Sequence, residues 1–460
     1  MPSFSRPYLE ELSRNKSQGL IILEAALRKH ADPEAKFLEK TSIPEGETKV
    51  EVVPRRFQLR TFSSLRYQDY RYLWTGTLLM SAGQWIQQVT LGWLLYELTS
   101  SSVLLGVLNG FRTLPFLISS PLAGVAADRM DRRKLLLNSE YVLAGSALAM
   151  GVLVASGWLQ VWHLFAFTLI TGAAWSFSEP VRQTLVPNFV PKGEIVNAVA
   201  LHSAGFNLMK VVGPALGGLL IALFGPAGNF FVQGAAYASV VLTIYLMAVP
   251  PTAPQARQSS VAANLKEGFA YIWSTPAVLV LLVADMVPRV FAVPYQTLMP
   301  IFQKDVLGVG PEGLGMLLAA PGLGAVLATL MLATVAHRLR RKELLLPVAL
   351  VFLGIFLILF SRTTSFPLAL LVLVGVGGSQ IFFMATTNSL LQMTIPDRLR
   401  GRVMSIYMLD RGFIPAGSLF AGISAHFVGA PVTVTLMGLT VILMAALVTS
   451  RLHILKRIDS

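Results

Sequence analysis

Between Leu73 and Leu455 the chain carries about twelve apolar stretches, each close to the roughly twenty residues a helix needs to cross the hydrocarbon core of a bilayer. Soluble helices keep a polar face toward water; these stretches do not, which excludes a large water-soluble core. Only 13% of the 460 residues are charged and 54% are hydrophobic, against about 25% charged in soluble domains. The expectation is an all-α membrane protein of twelve transmembrane helices. They fall at about 73–98, 102–127, 134–156, 159–179, 196–224, 228–249, 276–303, 311–336, 343–361, 366–392, 402–427 and 430–453.

The segments divide into two sixes. Pro250 to Thr275 holds Pro250-Pro251, Pro254 and Gln258-Ser259-Ser260, the composition of a linker. A basic turn, Gly124 to Lys134, joins the second and third segments. A second one, His337-Arg338-Leu339-Arg340-Arg341-Lys342, joins the matching pair 337 − 128 = 209 residues later. Pro187 to Glu194 and Pro396 to Arg402 echo each other in the same way. The expected organisation is a partly disordered cytoplasmic extension (1–70), a six-helix half (71–249), a cytoplasmic linker (250–275) and a second six-helix half (276–460). Two such halves about a membrane-normal axis, with substrate between them at mid-depth, are a transporter architecture.

The formal net charge is +13, which on a soluble chain would suggest nucleic acid. Its distribution points elsewhere. The loops assigned to one side hold fifteen lysines and arginines, Arg182 among them, whereas the other side holds only Lys304 and Arg362. This positive-inside bias places both termini in the cytoplasm, and the excess charge serves topology and anionic lipid. No nucleic-acid partner is expected. The chain has no cysteine, so disulfides and thiolate-held metals are excluded. Leu20 to Leu27, interrupted by Glu24, is too short for a secretory signal. Neither a Walker loop nor a nucleophile–base order appears, so no enzyme, metal or cofactor is expected.

Ionisable residues within apolar segments are functional candidates by default. They are Arg112, Lys210, the pair Asp285 and Arg289, and the pair Asp410 and Arg411. Asp285 and Arg289 are four residues apart, on one helix face. A carboxylate balanced by an arginine can titrate between states, or it can be a static buried pair; both readings stand at this level. Arg112 suits an anionic substrate or a partner across a cavity, and Lys210 does the same. Gln84 and Gln88 share a face of the first segment, and Asn388 lies on a polar face of the tenth; all three are cavity candidates. Asp410 and Arg411 are second-gate candidates.

Gly124, Asp128, Arg129, Arg132 and Arg133 form the pattern Gly-x-x-x-Asp-Arg-x-x-Arg-Arg. It resembles the loop between helices 2 and 3 of the major facilitator superfamily, with Asp131 where a glycine is usual. The resemblance implies a gating loop, whose acid meets a helix N-terminus and holds one face shut. Gly213-Pro214-Ala215-Leu216-Gly217-Gly218 resembles the antiporter signature of the superfamily's proton-driven exporters, with Met209 in place of the upstream glycine. Trp93 to Ser102, Arg112 to Leu117, Pro121 to Arg129 and Lys304 to Gly315 are similar to the branch of transmembrane secretion effectors related to the enterobactin exporter. That branch implies a twelve-helix exporter of the bacterial inner membrane, a monomer working by alternating access, with a small-molecule substrate such as a siderophore or drug-like compound, and protons, as partners. The fourth segment lacks the arginine of drug antiporters; Arg182 is expected in the loop beyond it. Uniport, symport and a non-transporting receptor of the same fold remain the alternatives.

Overall fold

The computed structural model describes residues 61–249, 261–335 and 344–451. The chain divides between Leu59 and Arg60 into two units, and the first lies outside the described residues, as does the basic turn from His337 to Lys342. Among the described residues all regular structure is helical, with no strand. The helices are α1 (Gln68–Thr99), α2 (Ser102–Arg129), α3 (Arg132–Ala155), α4 (Val161–Leu185), α5 (Ile195–Leu246), α6 (Val261–Ser274) and α7 (Pro276–Phe291). They continue with α8 (Pro311–Val335), α9 (Leu345–Arg362), α10 (Phe366–Thr394), α11 (Asp397–Leu409), α12 (Ile414–Val428) and α13 (Ala430–Ser450). Eight helical stretches among the described residues are long and apolar enough to cross a membrane. Their apolar side chains point outward as well as inward: Leu371 and Leu443 are 69% and 71% exposed. This is the surface of a bundle solvated by lipid.

Proline and glycine set the boundaries. Pro276, Pro367, Pro415 and Pro431 stand in the first turn of α7, α10, α12 and α13, where a missing N–H costs nothing. The 52-residue α5 is broken at Gly225, whose φ of +68° suits glycine. After α7 the chain descends through a 3-10 turn (Val293–Leu298), a short α-turn (Met299–Ile301) and a π-turn (Phe302–Val306). The seventh segment was expected as one helix over 276–303; Pro288, Pro294 and Pro300 remove the donors a continuous helix needs. The eleventh, expected over 402–427, is broken by a 3-10 turn at Asp410–Phe413 before Pro415. The linker is partly ordered: α6 packs on α11, with Arg402 paired to Glu267 at 2.6 Å. Ser63 and Ser64, within the expected extension, are buried against Glu194 and Asn197.

α1 lies along α5, α3 packs on α4 and α5, and α2 on α4 and α12. α8 packs on α5 and α10, and α13 on α9. One expectation needs correcting. Arg182 is not in a loop: α4 runs on past Pro180 to Leu185, and Arg182 is buried within it. Its Nη2 lies 2.9 Å from Oε1 of Glu140 on α3, with side-chain exposures of 1% and 0%. Ser178 donates to the same oxygen at 3.0 Å and accepts from Arg182 Nε at 3.3 Å. The acid permits a buried arginine here, because a charge in a low-dielectric interior is tolerated only when paired and hydrogen-bonded.

Breaking this pair leaves an uncompensated buried charge. Arg182→Ala is expected to lower stability by about 3–5 kcal/mol. The double change Glu140→Leu with Arg182→Leu should recover most of the loss. Thermal unfolding of the purified protein in detergent checks both; equal losses in the single and double variants would count against the pair.

Candidate functional site

A narrow cavity of about 30 Å³ lies between α1, α2, α4, α8 and the 3-10 turn after α7. Its polar lining is Gln88, Asn109, Arg112, Thr168, Gln296 and Thr297; Leu108, Pro300, Leu314 and Leu318 supply apolar wall. Arg112 is 112 − 102 = 10 residues into α2 and Gln88 is 99 − 88 = 11 residues from the end of α1. At 1.5 Å rise per residue both lie about 15 Å from that end of the bundle, near the middle of a ~30 Å hydrocarbon layer.

Most neutral groups of the lining are satisfied within the fold. Thr168 donates to the Leu164 carbonyl, Thr297 to Ser418 Oγ and Asn109 to the Leu105 carbonyl. Gln88 Oε1 is buried without a hydrogen-bond partner. No carboxylate among the described residues pairs with Arg112. Of the residues singled out from the sequence, Gln88 and Arg112 are thus brought together, while Gln84, Lys210 and Asn388 lie outside this lining. Lys210 is half-buried on α5, its carbonyl beside Gly322 of α8. Asn388 accepts from Gln392 at 2.5 Å.

Asp285 and Arg289 form an ion pair of 3.2 Å along one face of α7, with side-chain exposures of 3% and 13%. Pro288 is buried between them. The helix packs on α10, α12, α13 and the 3-10 turn that follows it; neither residue is in the cavity lining.

Gly213, Pro214, Gly217 and Gly218 form a two-sided packing surface. A Cβ on Gly213 would lie 2.6 Å from Trp85 Cβ, and one on Gly217 3.1 Å from Ile86 Cα, so α5 touches α1 almost backbone to backbone. On the other side a Cβ on Gly218 would sit 2.5 Å from the Pro311 carbonyl, and one on Gly315 2.5 Å from that of Pro214. Gly106 and Gly422 repeat the arrangement between α2 and α12, where Ser102 donates to the Gly422 carbonyl at 2.9 Å. Both seams lie at the end of the bundle where α1 passes into α2. At the same end Tyr96 donates to Asp305, and Lys304 pairs with Glu97 at 2.8 Å. These contacts are 209 and 207 residues apart in sequence.

At the opposite end Gly124, Asp128 and Arg129 fall in the last turns of α2, and their side chains lie outside the described ones, as do those of Asp410 and Arg411. The rest of the turn is defined. Asp131, which replaces the usual glycine, caps α3 by accepting from the N–H groups of Arg133 at 2.8 Å and Lys134 at 3.1 Å. Arg133 donates to the Tyr245 carbonyl at 2.7 Å and stacks over that ring at 5.8 Å. Arg132 opens the first turn of α3 beside it.

Sequence reasoning passed over Glu140, Tyr96 and Asp305. Glu140 carried a usable signal, being a lone acid inside the third apolar segment. Tyr96 and Asp305 sit at segment ends, where polar residues are ordinary.

A family model described as transmembrane secretion effector matches residues 59–460. The staphyloferrin A transporter of Staphylococcus aureus is 26% identical over 392 residues, covering 81% of this chain and 93% of its own length. The multidrug efflux pump Tap of Mycolicibacterium fortuitum is 27% identical over 378 residues, covering 80% and 91%. Macrolide efflux protein A of Streptococcus pyogenes is 20% identical over 392 residues, covering 84% and 96%. Among solved structures, a bacterial homologue of the human lysosomal transporter Spinster superposes with a TM-score of 0.68 at 15% identity, covering 85% of this chain and 98% of that one.

The two glycine seams are expected to hold their end of the bundle closed. Gly218→Val or Gly106→Val should wedge the seam apart and raise the labelling rate of Leu108→Cys, a position on the cavity wall, several-fold. The natural chain has no cysteine, so a membrane-impermeant maleimide applied to each face in turn reports this site alone. An unchanged rate from both faces would show that the seams are not a barrier.

Proposed function

The chain belongs to the transmembrane secretion effector family of the major facilitator superfamily, and from that membership we propose that it is a proton-coupled exporter of a small organic compound working by alternating access. It is a membrane transporter rather than an enzyme. The observation that carries the coupling assignment is the Asp285–Arg289 pair: a carboxylate buried in an apolar helix, balanced by one arginine on the same face. Such an acid holds a proton when the arginine moves away or finds another acceptor, and releases it when the pair reforms. Relatives named as efflux pumps and as a siderophore transporter support export of a small molecule.

The proposed topology has twelve crossings. α5 supplies two, on either side of Gly225; α7 with the turns after it supplies one, and α11 with α12 supplies one. The halves 71–249 and 276–460 then meet through the α2–α12 and α5–α8 seams, with the linker 250–275 and both termini on the cytoplasmic side of a bacterial inner membrane. In this orientation the seams and the Tyr96–Asp305 contact close the outer face, and the cavity at Arg112 faces inward. Asp128 and its basic neighbours, with Asp410 and Arg411 opposite, are assigned to closure of the cytoplasmic face. The chain acts as a monomer, each half supplying one wall of the pathway.

Inverted membrane vesicles acidified inside, with a fluorescent ΔpH reporter, test the reading. Siderophores, dyes and antibiotics are added in turn, and at least one is expected to dissipate ΔpH only in vesicles that contain the protein. Asp285→Asn should abolish that dissipation while a labelled compound still exchanges. Exchange that keeps its wild-type pH dependence in this variant would remove Asp285 from the coupling role. Facilitated equilibration without ΔpH dissipation would make the protein a uniporter, and no flux at all would favour a receptor. Asp128→Asn is expected to raise the labelling of Leu108→Cys from the cytoplasmic face; an unchanged rate counts against the gate.

A further inference from the structure

Arg112 is the arginine lining the central cavity, and no acid among the described residues answers its charge. Two other arginines within the bundle have acids of their own: Arg182 has Glu140 and Arg289 has Asp285. Arg112 lies about 15 Å from the end of α2, in a narrow cavity whose remaining polar groups are neutral. A solitary charge at that depth is costly unless an anion or water meets it. Beside it, Gln88 presents an amide oxygen without a hydrogen-bond partner. Thr168 and Thr297 have committed their hydroxyl hydrogens to other atoms of the bundle, and Asn109 one of its two amide hydrogens. The site therefore offers one cation, the unpartnered amide oxygen of Gln88, a remaining amide hydrogen of Asn109 and an apolar wall of Leu108, Leu314 and Leu318.

We propose that the cavity binds its cargo through an ionised carboxylate held by Arg112, with Gln88 accepting from a donor group next to it, so that the exported compound is an organic anion. The assignment rests on the export reading for its biological sense, but the binding itself does not. The planar guanidinium matches a carboxylate with two parallel N–H donors. Gln88 selects a neighbouring hydroxyl or N–H, and the leucines accept an apolar body. An Asp285 partner for Arg112 is not needed, because Asp285 is occupied by Arg289 on α7.

Binding to the full chain in lipid nanodiscs, measured by equilibrium dialysis, tests this apart from transport. The probes are 2-naphthoate beside 2-naphthamide, and tricarballylate beside its triamide, pairs that differ in charge far more than in shape. At least one carboxylate is expected to bind about tenfold or more tightly than its amide, as a charge-assisted contact warrants. Arg112→Gln should erase that preference, and Arg112→Lys should keep part of it. If Arg112→Gln fails to fold, Gln88→Leu carries the test and should weaken carboxylate binding several-fold. No carboxylate preference in the wild type, or an undiminished one in Arg112→Gln, would overturn the proposal. So would displacement by about 10 mM chloride or inorganic phosphate, which would make the site one for any small anion. Carboxylate binding without flux would sink the antiporter reading alone; flux without carboxylate preference would sink this proposal alone.

Discussion

A charge carried into hydrocarbon must bring its answer with it, and the interior of this bundle is arranged around that constraint. Water is absent at that depth, so a lone ion is penalised far more than one on a soluble surface. Glu140 and Arg182 meet the requirement permanently. The pair is fully buried, has Ser178 as a third member and lies between two helices packed side by side. Asp285 and Arg289 meet it on a single helix, across one turn that contains a proline. The first pair is braced by its neighbours and suits a structural role. The second is bonded at 3.2 Å along a single helix that contains Pro288, and so is less braced than the first. Arg112 finds no acid among the described residues, and in the binding proposed above a ligand's charge would meet the requirement instead.

The helical class and the transporter family were legible because both rest on signals that local sequence carries: apolar length, basic turns and short motifs. The four-residue spacing of Asp285 and Arg289 was legible for the same reason, since one helix turn brings them together. Gln88 and Arg112 were named from polarity within apolar segments, and they line one cavity. Gln84 and Asn388 had the same signal and do not line it, because polarity within a segment does not tell at which level along the helix a cavity opens. The ends of segments were harder. Arg182 looked like a loop residue because Pro180 and the polar run around it imitate a helix end. Only its contact with Glu140, 42 residues away, shows why the helix continues. Tyr96 and Asp305 meet across 209 residues, a separation at which no periodicity carries information. Helix breaks near Pro294, Pro300 and Pro415 were written in the sequence, but the apolar runs around them masked the interruptions.

The two seams differ in kind from the ion pairs. At Gly218 and Gly315, and again at Gly106 and Gly422, helices approach until a backbone carbonyl lies where a Cβ would otherwise stand. Small residues allow such contact in membranes, where dispersion and weak Cα–H···O contacts replace the hydrophobic effect between helices. The salt link of Lys304 with Glu97 beside them is more than one-third exposed on both sides, so it contributes little. Closure at this end depends on shape more than on charge.

A surface made of backbone has almost no rotamers to lose. When side chains interlock, each long one surrenders up to about 2 kcal/mol of rotational freedom, and separation returns it. Two glycine seams make and break contact with little of that entropy changing hands, and with few hydrogen bonds to rebuild, Ser102 on Gly422 and Tyr96 on Asp305 among them. The closed and parted arrangements can therefore lie close in free energy, with a shallow ridge between them. A bias of only a few kcal/mol, as small as one proton or one bound carboxylate supplies, is then enough to tip the bundle from one arrangement to the other.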